Sequence, residues 1–235
     1  MQLSRRLRAA ADLVSTGSVL ADIGTDHGYI PIALVEEKKI PGAIAMDINK
    51  GPLARADEHI RQHGLEHQIE TRLSDGLHAM KQGEAQSILI AGMGGLLIVR
   101  ILTEGKEVLE GCRELILQPQ SELRSVRSYL EQEHYRITEE RLVLEEGKYY
   151  VILRAVAGED GKQEENTLLH EQELRYGPLL LKEKHPLLKE YLEREAGLYR
   201  KVLESLEGKE TEAAAARREE VQWELKLIEE AQKNL

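Results

Sequence analysis

Over the first 157 positions, short aliphatic and β-branched runs alternate with amphipathic stretches. SVLADIG (18–24), GAIAMDI (42–48), IETRLSDG (69–76), SILIAGM (87–93) and ELILQPQ (114–120) each read as a strand. The segments after them read as helices. GYIPIALVEEKK (28–39) carries Pro31, which fits only the first helical turn, where backbone donors have no partner. GPLARADEHIRQHG (51–64) ends on a capping glycine, and LLIVRILTEGKEVLEG (96–111) and ELRSVRSYLEQEH (122–134) complete the series. Such alternation predicts a parallel sheet covered on both faces.

The rhythm then changes. YRITEERLVLEEGKYYVILRAVA (135–157) holds two strand-like runs around Glu146-Gly147, a hairpin signal rather than a crossover. Five parallel strands closed by an antiparallel hairpin match the α/β, Rossmann-like sheet of class I methyltransferases better than that of dinucleotide dehydrogenases. GEDGKQEEN (158–166) reads as a polar linker. Beyond it, Leu188, Leu192, Tyr199, Val202 and Leu206 fall three and four apart in a Leu-, Glu- and Lys-rich stretch, with Glu195 the one break. After Gly208 the pattern resumes at Ala214, Val221, Leu225, Ile228 and Leu235, which predicts an α-helical, antiparallel coiled-coil hairpin. The expected domains are 1–157 and 158–235.

Composition narrows the partners. The 235 residues include 32 basic and 42 acidic ones, a formal charge of −10, so the molecule as a whole repels polyanions and any nucleic-acid contact is local. One cysteine, Cys112, excludes a disulfide framework and a cysteine-built zinc site, and fits a reducing compartment. The N-terminal MQLSRRLRAAADLV lacks the apolar run of a secretory signal, and no stretch matches a membrane span. A cytoplasmic protein without membrane contact is expected. His59, His63 and His67 have ligand-like spacing, but a polar helix end without cysteine reads as solvent-facing, and no metal is expected.

The first strand-turn-helix carries the chemistry. Dinucleotide sites use G-x-G-x-x-G so that the backbone can approach a pyrophosphate. Gly24 occupies the first of these positions, but Asp26 and Tyr29 occupy the other two. A carboxylate there repels phosphate by about 4 kcal/mol per close pair at an effective dielectric near 20. S-adenosylmethionine has no phosphate, and its sulfonium cation suits an acid-lined loop. Asp47 ends the second strand, where a carboxylate can accept both ribose hydroxyls. Asp75 follows the third strand and is placed for the adenine amino group; Gly92, Met93, Gly94 and Gly95 follow the fourth, where the transferred methyl would lie.

LSRRL, DIGTDHGYIPIAL, AMDIN, SDGL, AGMGG, LILQPQ and GKYYVILRA, in this order and at these spacings, closely resemble the bacterial TrmK family. Its members are S-adenosylmethionine-dependent tRNA methyltransferases acting on N1 of adenosine 22 in the D-arm. The resemblance is specific over about residues 1–157 and extends to the helical hairpin by architecture only. It implies that Asp22, Gly24, Gly28, Asp47 with Ile48, Asp75 with Gly76, and Ala91, Gly92, Met93 and Gly94 cradle the donor. It places Asp26, His27 and Tyr29 near the reacting base and Arg6 at the rim. The Asn/Asp-Pro-Pro-aromatic loop of amino-methylating adenine enzymes is absent, which fits attack by a ring nitrogen.

Adenine N1 already presents an in-plane lone pair, so alignment and desolvation are the main tasks. A carboxylate accepting from the exocyclic amine would stabilise the positive charge that develops on the ring, and Asp26 is the expected residue, with His27 orienting it or contacting the RNA. Extrusion of the base is expected, with Tyr29 as stacking partner and Tyr149 or Tyr150 as weaker ones. Arg5, Arg6 and Arg8, then Arg124 and Arg127, then Arg217 and Arg218 form local basic clusters suited to phosphates. Two alternatives stay open: a methyltransferase acting on a protein or small molecule, and a non-catalytic coiled-coil scaffold. Monomer and weak dimer are both compatible with the sequence.

Overall fold

The computed structural model describes residues 1–158, 169–233 and 235, so the predicted linker lies outside the described residues after Gly158. The chain divides into two compact units, Met1–Asn166 and Thr167–Leu235.

The first unit runs α1 (Arg5–Leu13), β1 (Leu20–Ile23), α2 (Tyr29–Glu36), β2 (Ala43–Asp47), α3 (Lys50–Gln62), β3 (Ile69–Leu73) and β4 (Ser87–Met93). It continues with α4 (Gly95–Glu104), α5 (Lys106–Leu109), β5 (Glu114–Pro119), α6 (Leu123–Gln132), β6 (Tyr135–Glu145) and β7 (Lys148–Ala157). One seven-stranded mixed sheet has the order β3-β2-β1-β4-β5-β7-β6. β1 to β5 pair in parallel, and β7 pairs antiparallel with both β5 and β6. The strand order reverses beside β1, where β2 lies on one side and β4 on the other, and such a switch point opens a crevice at the strands' C-terminal ends.

Period-two alternation divides each central strand between two cores. Leu20, Ala43, Ala45, Leu89, Ile116 and Ile152 face α1, α2 and α3. Ala21, Ile23, Met46, Ile90, Leu117 and Leu153 face α4, α5 and α6. Two charged networks pin the sheet's far side. The buried Glu114 accepts from Ser15 N and Oγ (both 2.7 Å), Ser87 Oγ (2.6 Å) and Arg154 Nε (2.6 Å), and these hydrogen bonds outweigh burial and lower its pKa. Arg127 of α6 donates to Glu140 of β6 at 2.9 Å, with both side chains fully buried. Arg127 therefore cannot track phosphates as the basic-cluster reading expected; its helix face points into the protein.

In the second unit, α7 (Glu171–Tyr176), α8 (Pro178–Lys182), α9 (Pro186–Ser205) and α10 (Glu212–Lys233) include two short helices that the apolar rhythm did not announce. α9 and α10 pack together, and α7 also packs on α10. The inner positions of α10 include Val221, Glu224, Leu227 and Ile228, whereas Leu225, expected in the seam, is only partly buried. The extra helix explains the difference: α7 gives α10 a second buried face, where Arg175 pairs with Glu224. Arg217 pairs with Glu220, and Arg218 donates to the carbonyls of Leu206 and Lys209 beyond α9, so these two basic residues have intramolecular partners.

Candidate active site

The turn after β1 is built around Gly24. Its φ of +74° lies in the left-handed region, and a Cβ there would overlap the Met93 side chain at the end of β4. The amides of Gly24 and Thr25 both donate to the Met46 carbonyl at 2.8 Å, tying the turn to β2. Asp22, one residue before the end of β1, is buried, and its carboxylate accepts from Thr25 Oγ1 at 2.7 Å. Burial pushes its pKa up to about 6 against the Thr25 hydrogen bond, with the nearby Asp26 and Asp47 carboxylates adding to the rise.

His27 follows with φ +59°, an uncommon left-handed conformation for a residue with a side chain. Gly28 is the N-cap of α2, and Asp26 makes no side-chain capping bond there. The Asp26 side chain is instead 76% exposed, with Oδ1 3.3 Å from His27 Nε2. The His27 ring lies parallel to Tyr29 at 5.1 Å between centroids, and His59 of α3 stacks against both at 5.1 and 5.5 Å. His59 Nδ1 also lies 3.1 Å from the His27 carbonyl, the geometry of a donor holding the turn. His59 thus departs from the solvent-facing expectation, while His63 contacts Glu36 at 2.6 Å. Among the described residues, no group of three or more His, Cys, Asp or Glu is arranged to share a metal ion.

Across the crevice, β4 ends in Ala91-Gly92-Met93, and Gly94 caps α4. Gly95 has no room for a side chain, since a Cβ would lie 2.5 Å from the Ser121 carbonyl oxygen and 2.8 Å from that of Glu122. This packs α4 onto the loop after β5. A cavity of about 230 Å³ lies between the two turns, its walls including Arg6, Asp22, Gly24, Asp26, Tyr29 and Gly92. Gln120, from the LILQPQ run, and Ile30 also line it and were not singled out in the sequence.

Ala91 also lines the cavity, whereas Asp47, Ile48, Asp75 and Gly76 lie at the same ends of the strands without lining it. Asp47 ends β2 and accepts from its own Asn49 amide at 2.6 Å, so it does not cap α3, whose N-cap is Asn49. Ile48 beside it is 58% exposed, and Leu73, its strand-end neighbour on β3, is 49% exposed. Asp75 faces Arg100 of α4 at 3.3 Å with both side chains half exposed, and Gly76 follows in a left-handed turn. Of the N-terminal arginines, Arg5 is exposed, Arg6 reaches the cavity, and Arg8 is held by Glu37 at 2.7 and 3.0 Å with Asp12 nearby. Arg8 therefore has acidic partners within its own chain.

The family model for tRNA (adenine(22)-N(1))-methyltransferase, TrmK, matches residues 20–230. The chain belongs to the TrmK family. It is 42% identical to the tRNA (adenine(22)-N(1))-methyltransferase of Bacillus subtilis over 185 residues, 79% of this chain and 77% of that protein. The crystal structure of B. subtilis TrmK superposes with a TM-score of 0.88 at 36% identity, covering 98% of each chain. M. capricolum TrmK, solved with the cofactor product S-adenosylhomocysteine, gives 0.85 at 29% identity over 100% of this chain and 99% of that one. The likeness to TrmK spans both compact units, beyond the first 157 residues that carried the sequence motifs. No helix among the described residues is long and apolar enough to cross a membrane.

Proposed function

We infer that this protein is an S-adenosylmethionine-dependent methyltransferase acting on N1 of adenosine 22 in tRNA. The observation that carries this reading is the crevice between the Gly24 and Gly92 turns. There Asp22 and Asp26 stand where a phosphate binder would need an uncharged nest of amides. A cationic methyl donor fits this donor set, because a positive ligand relieves the cost of a buried carboxylate at Asp22. We assign donor binding to Asp22, Gly24, Gly28, Asp47, Ile48, Asp75, Gly76, Ala91, Gly92, Met93 and Gly94. The exposed Ile48 offers an apolar face for a ring, and the Asp47 carboxylate offers hydrogen-bond acceptors for ribose hydroxyls.

When bound, the sulfonium donor supplies an activated methyl group. The chain's own residues position the acceptor. Asp26 accepts a hydrogen bond from the exocyclic amine and stabilises the charge that grows on the purine as N1 is alkylated. His27 and Tyr29, already stacked, give an extruded base a flat surface. The exposed Arg5 meets RNA phosphates against the acidic background, and the reaction belongs to the cytoplasm, where tRNA is modified. Residues 1–157 form the methyltransferase domain and 158–235 the helical domain, whose α9 and α10 pack as an antiparallel coiled coil. Labelled S-adenosylmethionine and unmodified bulk tRNA test the activity: methyl incorporation abolished by ribonuclease supports it, whereas incorporation that survives ribonuclease or occurs without RNA points to a protein or small-molecule acceptor. Truncation after Ala157 tests the domain assignment, which requires the shortened protein to retain donor binding.

A further inference from the structure

The turn that carries Asp26, His27 and Tyr29 leaves one of its own carbonyls without a helical donor. In a continuous helix the carbonyl of His27 would accept from the amide four residues on, but that residue is Pro31 and has no N–H. Within the turn, the Tyr29 amide reaches the Asp26 carbonyl only at 3.4 Å, and Gly28, the N-cap of α2, brings no capping side chain. His27 itself is held at φ +59°, a conformation that persists in a residue with a side chain only where its surroundings fix it.

α3 supplies what the turn lacks. Gly28 lies close against this helix, since a Cβ on it would come within 3.5 Å of the Ala56 Cβ. His59 is three residues further along the same helix face, and its Nδ1 lies 3.1 Å from the His27 carbonyl oxygen. A carbonyl only accepts, so the proton is assigned to His59 Nδ1. The same ring stacks on His27 at 5.1 Å and on Tyr29 at 5.5 Å between centroids. α3 is anchored in the core by Leu53, Ala56 and Ile60, whereas His59 is only partly buried, so its contacts serve the turn rather than the core. We propose that His59 is a positioning residue for methyl transfer, whose Nδ1–H holds the His27 carbonyl and so fixes the turn that presents Asp26 and Tyr29 to the target base. This rests on the acceptor-side roles given to Asp26, His27 and Tyr29 above. His59 itself touches neither donor nor base, so its loss should act on turnover rather than on donor binding.

Steady-state methylation of unmodified tRNA by the full-length chain, with calorimetry for S-adenosylmethionine, tests this. His59→Ala should lower kcat about 10- to 100-fold, the span of a lost hydrogen bond together with the alignment it fixes, while KM for tRNA and donor affinity stay within about threefold. His59→Asn puts an amide nitrogen where Nδ1 stood and should recover most of kcat. His59→Phe keeps a stacking ring without a donor and should remain near the alanine level. Unchanged kcat in His59→Ala overturns the proposal. So does a loss that Phe restores and Asn does not, which reduces His59 to ring packing, or a loss matched by equal falls in donor affinity and melting temperature. Should His59→Ala fail to fold, the Asn and Phe variants still decide, since Phe turning over as fast as Asn refutes it. Full activity in Asp26→Ala, or a wild type that methylates no tRNA, would instead refute the acceptor-side reading itself.

Discussion

Replacing Asp22 with Asn should separate the stability of the fold from its use. The Asp22 carboxyl has an ordinary pKa of 3.8, and burial pushes it up to about 6 in the folded protein. Between these values the folded state keeps a proton that the unfolded chain has released. Stability therefore falls as pH rises through that window, and the loss, about 3 kcal/mol, persists above it. Asn is nearly isosteric and its amide oxygen can accept from Thr25 Oγ1, but it has no charge to bury. In differential scanning calorimetry at pH 7.5 the ligand-free Asp22→Asn protein should melt about 5–10 °C above the wild type, with the advantage shrinking towards pH 4. Donor affinity should move the other way: the wild type should bind S-adenosylmethionine more tightly as pH rises through about 6, and Asp22→Asn should bind weakly without that rise. A variant less stable than the wild type at pH 7.5, with an unchanged pH profile, would refute the assignment of a costly buried carboxylate.

Further substitutions probe the site and its frame. Asp26→Ala should abolish methyl transfer to tRNA while leaving donor affinity in calorimetry within about twofold, since this exposed side chain supports no packing. Gly95→Ala, at the first residue of α4 where alanine would ordinarily be welcome, should lower stability by about 1–3 kcal/mol in urea unfolding because its methyl meets the loop after β5. Arg127→Met should cost about 3–5 kcal/mol by leaving Glu140 charged and buried, and adding Glu140→Leu should recover most of the loss.

The sheet was legible because its signals are local. Short runs rich in aliphatic residues, a glycine turn after the first and Pro31 in the first turn of α2 place the strands and the crevice without knowledge of their partners. The Asp22 to Tyr29 stretch was legible as a departure from the dinucleotide pattern for the same reason: Asp26 and Tyr29 stand in place of glycines within one turn. Long-range pairings were not. Arg127 lies on a helix that reads as amphipathic, and only the return of β6 brings Glu140 to it. Arg8 and Glu37 are 29 positions apart, so their pairing emerges only once α1 lies beside α2. His59 reaches His27 because α3 packs beside the β1 turn, a proximity its sequence neighbours do not signal. Burial of Glu224 likewise depends on α7, which is too short to carry a periodic pattern.

An enzyme of this family is expected to methylate one ring nitrogen at one position. An unmodified tRNA transcript, incubated with the protein and S-adenosylmethionine, can be digested and mapped by mass spectrometry beside the same transcript carrying guanosine at position 22. The first transcript should carry 1-methyladenosine at position 22, and the second should incorporate no methyl group. Methylation at the exocyclic amine, at another nucleotide, or equally in both transcripts would contradict it.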